Sequence, residues 1–322
     1  MTTSPTRTSA SAPPPAPTSP GTPVGHRVLP ADEHRAAAEA HQRRVARYTS
    51  GFLGRRHAGK THPVEDFLFT YYSHSPGQLS RWHPGVGAVL QGAGASEQAG
   101  WRFYTTVDDG SPEGAAGLDV VRFRRERDSM IGFARRLLSA TAARPAQLGC
   151  FGLHEWAMVY RSVQHGQRHD QVPLRLGAEG TDEVVESLNI RCTHFDAYRF
   201  YTPSAKPLNT LSPTRESQVA LEQPGCLHAN MDLYKWAYKL IPAVGSDLLM
   251  DCFDLAWRIR ELDMRASPYD LADWGYAPVP IETPAGRAEY ARAQKGFSEE
   301  AQLLRGRLLD VLDVVDALAG DV

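Results

Sequence analysis

The chain has 322 residues, 42% of them hydrophobic and 22% charged, with a formal net charge of −2. Those proportions are those of a globular protein, and the length allows one large domain or two ordinary ones. A near-neutral balance excludes a global electrostatic pull toward nucleic acid. Any DNA contact therefore needs a local basic patch, for which Arg122–Arg127 with Arg135 and Arg136, or Arg55 and Arg56, are the candidates.

Residues 1–29 are dominated by Pro, Ser, Thr and Ala and read as a disordered tail. Ala31–Arg56, rich in Ala, Glu and Arg with few apolar positions, reads as a surface helix. His62-Pro63 opens a second helix over Val64–Ser73, whose stripe of Phe67, Leu68, Tyr71 and Tyr72 suits core packing. Arg81–Gly100 is glycine-rich, and Trp101–Val107 follows as a strand ending at Asp108 and Asp109. Asp119–Ala143 reads as a helix with a basic outer face. In Gln147–Ser162 the periodicity groups Leu153, Trp156, Val159 and Tyr160.

Thr202–Gln223 is a long irregular stretch of the kind used as a lid or binding loop. Leu227–Ile241 is a strong helix, and Ser246–Met264 another, with Ser246 as its N-cap and Leu249, Phe253, Trp257 and Arg260 suited to packing. Pro278–Pro284 is an extended connector. Ala285–Leu318 is a closing helix or pair of helices. The expectation is a mainly helical (α+β) single domain over residues 30–322, with short strands at Trp101–Val107 and Ile190–Phe200.

The four cysteines, Cys150, Cys192, Cys226 and Cys252, form no CxxC pair, which argues against a zinc ribbon or a disulfide framework. Each sits in apolar sequence and reads as a buried thiol. No apolar run is long enough to span a membrane, and no secretory signal is evident, so the cytoplasm is the expected location.

The most chemically loaded stretch is Ile190–Pro203. Strand-like alternation there puts His194, Asp196 and Tyr198 on one face, able to orient a substrate, hold a metal or move a proton. A buried hydrogen-bond network is the alternative. Glu155, beside Trp156, reads either as an acid or base or as the ion-pair partner of an arginine. His228, Asp232 and Lys235 fall on one face of their helix. Bringing His154, His194 and His228 together with a carboxylate meets the ligand demand of zinc or non-haem iron. In a metal-free arrangement Glu155 or Asp196 activates water and His194 shuttles the proton.

The strings HPVEDFLFTYYS, CFGLHEWAMVYR, CTHFDAYRFYTP, EQPGCLHANMDLYKWAYKL and ELDMRASPYDL resemble the blocks of a bacterial family labelled 3-methyladenine DNA glycosylase, over about residues 30–320. The turn Pro84-Gly85-Val86-Gly87, with an aspartate some twenty residues on, is also similar to the phosphate-holding turn of helix-hairpin-helix glycosylases, although Gly92, Gly94 and Gly100 interrupt the helix that should follow. The resemblance implies hydrolysis of the N-glycosidic bond of an alkylated purine, without a cofactor. Its partner would be alkylated DNA or a nucleobase-containing small molecule. The base would stack on Trp156, Tyr160 or Trp236, with Asp196 or Glu155 stabilising the sugar cation or activating water. Arg199, Tyr201, His228, Asp232 and Lys235 would then surround the substrate. A metal-dependent hydrolase or oxygenase acting on a small molecule is the competing expectation, and a non-catalytic ligand-binding protein the third.

Overall fold

The structure, a computed structural model, describes residues 27–110 and 112–320. They are mainly helical, with a small four-stranded sheet. The chain runs β1 (Arg27–Leu29), α1 (Ala31–His57), α2 (Phe67–Tyr71), α3 (Pro76–Leu79), β2 (Ala88–Gln91), β3 (Tyr104–Val107) and β4 (Ala115–Leu118). It continues through α4 (Val120–Glu126), α5 (Asp128–Ala142), α6 (Leu153–Ala157), α7 (Ser162–His165), α8 (Gly177–Ser187), α9 (Phe195–Tyr198) and α10 (Gln218–Leu221). Three long helices close it, α11 (Leu227–Lys239), α12 (Ser246–Arg265) and α13 (Pro284–Gly320). Among the described residues no helix is long and apolar enough to cross a membrane.

The core is built around α11. Ten of its thirteen residues are buried, and it packs against both α12 and α13. A helix enclosed on most sides must satisfy its polar residues internally. Asn230 does so by donating to Pro224 O at 2.8 Å and accepting from Arg305 of α13 at 2.9 Å. Expected as a surface helix, α1 in fact buries His41, Val45, Thr49 and Phe52. Its Arg44 clasps Asp251 and Asp254 on α12. The sheet, ordered β1-β2-β4-β3, is parallel only at β1–β2 and packs Leu29, Leu90 and Ala116 with Trp82.

Residues 1–26 of the expected tail lie outside the described residues, but Arg27–Leu29 form β1. Ile190–Phe200 is not a strand. Ile190 makes one isolated bridge with Asn209. The Asn209 side chain accepts from Cys192 N at 2.6 Å and donates to Cys192 O at 3.1 Å, taking the place of a neighbouring strand. The backbone then turns helical as α9.

The turn at Pro84–Gly87 leads into β2 rather than a helix, which removes the helix-hairpin-helix likeness. Gly85 and Gly87 have positive φ, and Val86 N donates to Ala243 O at 2.8 Å, so the turn docks the sheet onto the entry of α12. Gly245, not Ser246, caps α12, because Ser246 Oγ accepts from His83 N at 2.8 Å. The second helix is only α2, since His62 Nδ1 accepts from Val64 N and Glu65 N and holds the preceding residues in a turn. The helix expected over Asp119–Ala143 breaks at Arg127. All four cysteines are free, and Cys150 is only half-buried.

Gly286, in the first turn of α13, has no room for a side chain: a Cβ there would sit 2.0 Å from Pro280 O. Gly286→Ala should lower stability in urea unfolding by about 1–3 kcal/mol, as overpacking does. Gly296→Ala, in open space on the same helix, should instead raise it by about 0.5–1 kcal/mol, the helical preference for alanine.

Candidate metal centre and adjoining pocket

Gly152, in the left-handed region at φ 71, starts α6 and turns His154 and Glu155 into the core. These adjacent side chains reach two residues one helical turn apart on α12. His154 Nε2 lies 2.8 Å from Asp263 Oδ1, and Glu155 Oε1 accepts from Arg260 Nη1 at 2.9 Å. Arg260 Nη1 is also 3.8 Å from Asp263 Oδ2. His228, the second residue of α11, sets its ring edge-on to His154 with centroids 4.4 Å apart.

One donor atom from each of His154, His228 and Asp263 falls within 4.8 Å of the others. Metal–ligand bonds of about 2.0–2.2 Å place neighbouring donors about 3 Å apart, so a small inward movement brings all three onto one ion. Asp263 Oδ2 is buried without a hydrogen-bond partner. Two imidazoles and a carboxylate are a donor set for non-haem iron or zinc. The residues fit such an ion.

The electrostatics follow from burial and pairing. Burial opposes a charge on His154, but Asp263 outweighs it and holds the imidazole well above its ordinary value. Burial opposes ionisation of Asp263 too, and His154 brings it down to about 2. Burial, reinforced by His154, pushes His228 well below the usual range.

A second buried network lies on the other side of His228, whose ring centroid is 5.4 Å from that of His194. Asp232 accepts from Tyr72 OH at 2.9 Å and from Lys235 Nζ at 2.8 Å. His194 Nε2 is 3.5 Å from Asp232 and 3.4 Å from Glu222, within ion-pair range. Lys235 reaches on to Asp196 at 3.3 Å, and Arg199 closes on Asp196 at 3.1 Å. Burial works against the Asp232 carboxylate, yet Lys235 and His194 hold it far below its ordinary value. Burial raises Glu222 above its own.

Between the two networks opens a cavity of about 240 Å³, lined by Glu155, Asp196, His228 and Arg260, with Phe67, Tyr71 and Phe200 as aromatic walls and Arg168 and His169 among its lining residues. The Arg260 guanidinium carbon lies 4.0 Å from the centre of the Phe67 ring, and that of Arg168 4.0 Å from the centre of Phe200.

Of the residues singled out in the sequence, the cavity therefore gathers Glu155, Asp196 and His228, with Asp232, Lys235, His194 and Arg199 directly behind or beside them. The metal set replaces His194 with Asp263, because His194 is drawn to Glu222 and Asp232. The aromatic residues lie elsewhere. Trp156 is fully buried and donates to Ala266 O at 2.8 Å. Tyr160 OH donates to Glu186 at 2.6 Å, Trp236 packs on Phe133, and Tyr201 is buried beside Tyr198.

Residues 202–223 supply no lining residue of this cavity, so they form no lid over it. Sequence reasoning assigned Arg260, Phe67 and Tyr71 to core packing and gave Asp263 and Glu222 no role. The signal for Asp263 was its place three residues after Arg260 on an otherwise apolar face of α12. Half of the arginines in the expected basic patches are ion-paired: Arg55 with Glu65 and Asp66, Arg122 with Glu126, Arg124 with Asp128 and Asp316, and Arg135 with Asp313 and Asp316. Compared with known proteins, the chain matches no protein-family model, no curated protein and no solved structure.

Removing one partner of a buried ion pair strands the other. Arg260→Leu should cost about 3–5 kcal/mol in urea unfolding, and adding Glu155→Gln should recover much of it. The depressed pKa of Asp232 means its ionisation contributes stability that is present above its ordinary value of 3.8 and is lost as pH falls below it. The unfolding midpoint should therefore drop as the solution is acidified below about pH 4, with a shallower drop in Asp232→Asn.

Proposed function

We propose that the protein is a metal-dependent enzyme acting on a small molecule in the Phe67–Tyr71–Phe200 cavity, with zinc or non-haem iron held by His154, His228 and Asp263. The observation that carries this reading is the meeting of two imidazoles and a carboxylate from α6, α11 and α12, with His228 also reaching the wall of the cavity. When bound, such an ion supplies Lewis acidity and lowers the pKa of a coordinated water. Glu155, next to His154 in sequence and fixed by Arg260, is positioned to take a proton from a substrate or water in the cavity. Asp196, held by Lys235 and Arg199, offers an anionic group on another wall. Phe67, Tyr71 and Phe200 orient a planar portion of the substrate.

Removal of an alkylated base is the second reading, favoured by a cavity that combines aromatic walls with the carboxylates of Asp196 and Glu155. It draws no support from Trp156, Tyr160 or Trp236, which face elsewhere. One experiment separates the two. Purified protein should contain about one zinc or iron per chain by mass spectrometry. Asp263→Asn and His228→Ala should weaken that binding by no less than the roughly 10–100-fold lost on deleting an outer hydrogen-bond partner. Absence of stoichiometric metal, together with chelator-resistant release of methylated base from alkylated DNA that disappears in Asp196→Asn, would sink the metal reading.

A further inference from the structure

A second cavity, of about 330 Å³, shares no lining residue with the one above. Arg81, Arg102, Arg127 and Lys239 line it together with His74 and Trp101, and no Asp or Glu does. This is unusual in a chain with 37 acidic and 35 basic residues. Some arginines elsewhere are paired, as Arg43 is with Glu39, Arg258 with Glu300 and Arg307 with Asp251. Here Arg102 pairs with Glu126 at 3.1 Å, whereas Arg81, Arg127 and Lys239 have no carboxylate within ion-pair distance among the described residues.

The guanidinium groups lie against aromatic rings instead. Arg102 and Arg127 sit 4.6 and 5.5 Å from the centre of Phe103, and Arg81 sits 5.5 Å from that of Trp101. Phe103 holds a φ of 70°, a strained value for a non-glycine residue. Tyr104 N donating to Trp101 O and Asp119 N donating to Phe103 O hold the turn that carries Arg102 and Trp101.

Two buried polar atoms at the cavity are unsatisfied. Arg127 Nε has no partner. His74, 7% exposed, stacks flat on Tyr238 with ring centres 4.9 Å apart, and its Nε2 also lacks a partner. Buried groups of this kind are normally hydrogen-bonded. Burial drives the His74 imidazole down to about 4, so it stands in the wall uncharged. Lys239 is accounted for by its place in the last turn of α11, where the helix dipole favours a cation. Arg81 and Arg127 rest on the rings of Trp101 and Phe103 without a carboxylate partner among the described residues.

From this geometry we propose that the cavity binds the phosphate group of a nucleotide. The forked guanidiniums of Arg81 and Arg127 match phosphate oxygens two at a time, and Lys239 adds a point charge. The cavity's volume is in the range of small-ligand sites, and Trp101 stands at its wall beside the planar base. The same chemistry is offered by a free nucleotide and by the terminal nucleotide of a strand. A cavity of about 330 Å³ suits a single free nucleotide.

The test is calorimetric titration of the full-length protein at physiological salt with AMP, ATP, inorganic pyrophosphate and a short single-stranded oligonucleotide. Saturable binding of AMP or ATP at one site per chain is expected, weakening as salt is raised. Loss of a charged hydrogen-bonding partner should weaken it by about tenfold in Arg81→Gln and in Arg127→Gln, with no change in Arg43→Gln. Lys239→Gln, at an exposed position, provides a further variant should Arg127→Gln fold poorly, and should also weaken binding. No saturable binding of any mononucleotide, or affinity unchanged in Arg81→Gln and Lys239→Gln, overturns the proposal. Binding of the oligonucleotide without binding of AMP or ATP also overturns it and gives the cations to a nucleic-acid backbone.

Discussion

Neutralising buried carboxylates is the constraint from which much of this structure follows. Glu155, Glu222, Asp232 and Asp263 are each almost wholly buried. An unpaired charge in that position costs several kcal/mol, enough to unfold a protein of ordinary stability. Each therefore needs a nearby hydrogen-bond donor or cation, and the neighbours available come from other segments. Arg260 serves Glu155, His154 serves Asp263, Lys235 with Tyr72 serves Asp232, and Gln218 with the neighbouring His194 serves Glu222. Joined through these contacts, α6 is tied to α12, and α9 and the turn after α10 are tied to α11. Apolar packing alone would let these short helices settle in several orientations; the buried charges leave few that are acceptable.

The same constraint concentrates reactive groups. A core that must place cations and imidazoles beside carboxylates brings together the groups that bind metals and transfer protons. His228 belongs to both networks by position, being near His154 on one side and His194 on the other, and it is the histidine of the three that reaches the cavity wall. The cavity of Arg81, Arg127 and Lys239 has the opposite arrangement, three cations with no carboxylate in ion-pair range among the described residues. One fold thus contains a neutralised buried centre and an un-neutralised surface one.

The long helices were readable in the sequence because their signals are local: apolar spacing and runs without breakers define α1, α11, α12 and α13 to within a few residues. The pairs His154/Glu155, His194/Asp196 and His228/Asp232 were readable as candidates, and the fold brings all three close together. What escaped was set by distant partners. Alternation in Ile190–Phe200 says nothing about whether a second strand is present, and Asn209, a loop residue, took that strand's role. Asp263 looks like a carboxylate pairing along an amphipathic helix until the fold places His154 and His228 above it. Trp156 and Trp236 look like stacking platforms, but the bulk that suggests stacking equally suits the core. Arg81, Arg102, Arg127 and Lys239 are scattered over more than 150 positions, and only Arg127 belongs to a charge run visible in the sequence.

The clasp between α1 and α12 also bears on how the chain is made. Arg44 and Asp251 are 207 residues apart, and at about 5–20 residues per second a ribosome takes roughly ten to forty seconds to cross that interval. Throughout it α1 waits without its partner. Its sparse apolar positions, with Val45 and Phe52 the main ones buried in the finished fold, offer little for another nascent chain to adhere to. A composition that first reads as that of a surface helix thus suits one that must stay soluble before it is enclosed.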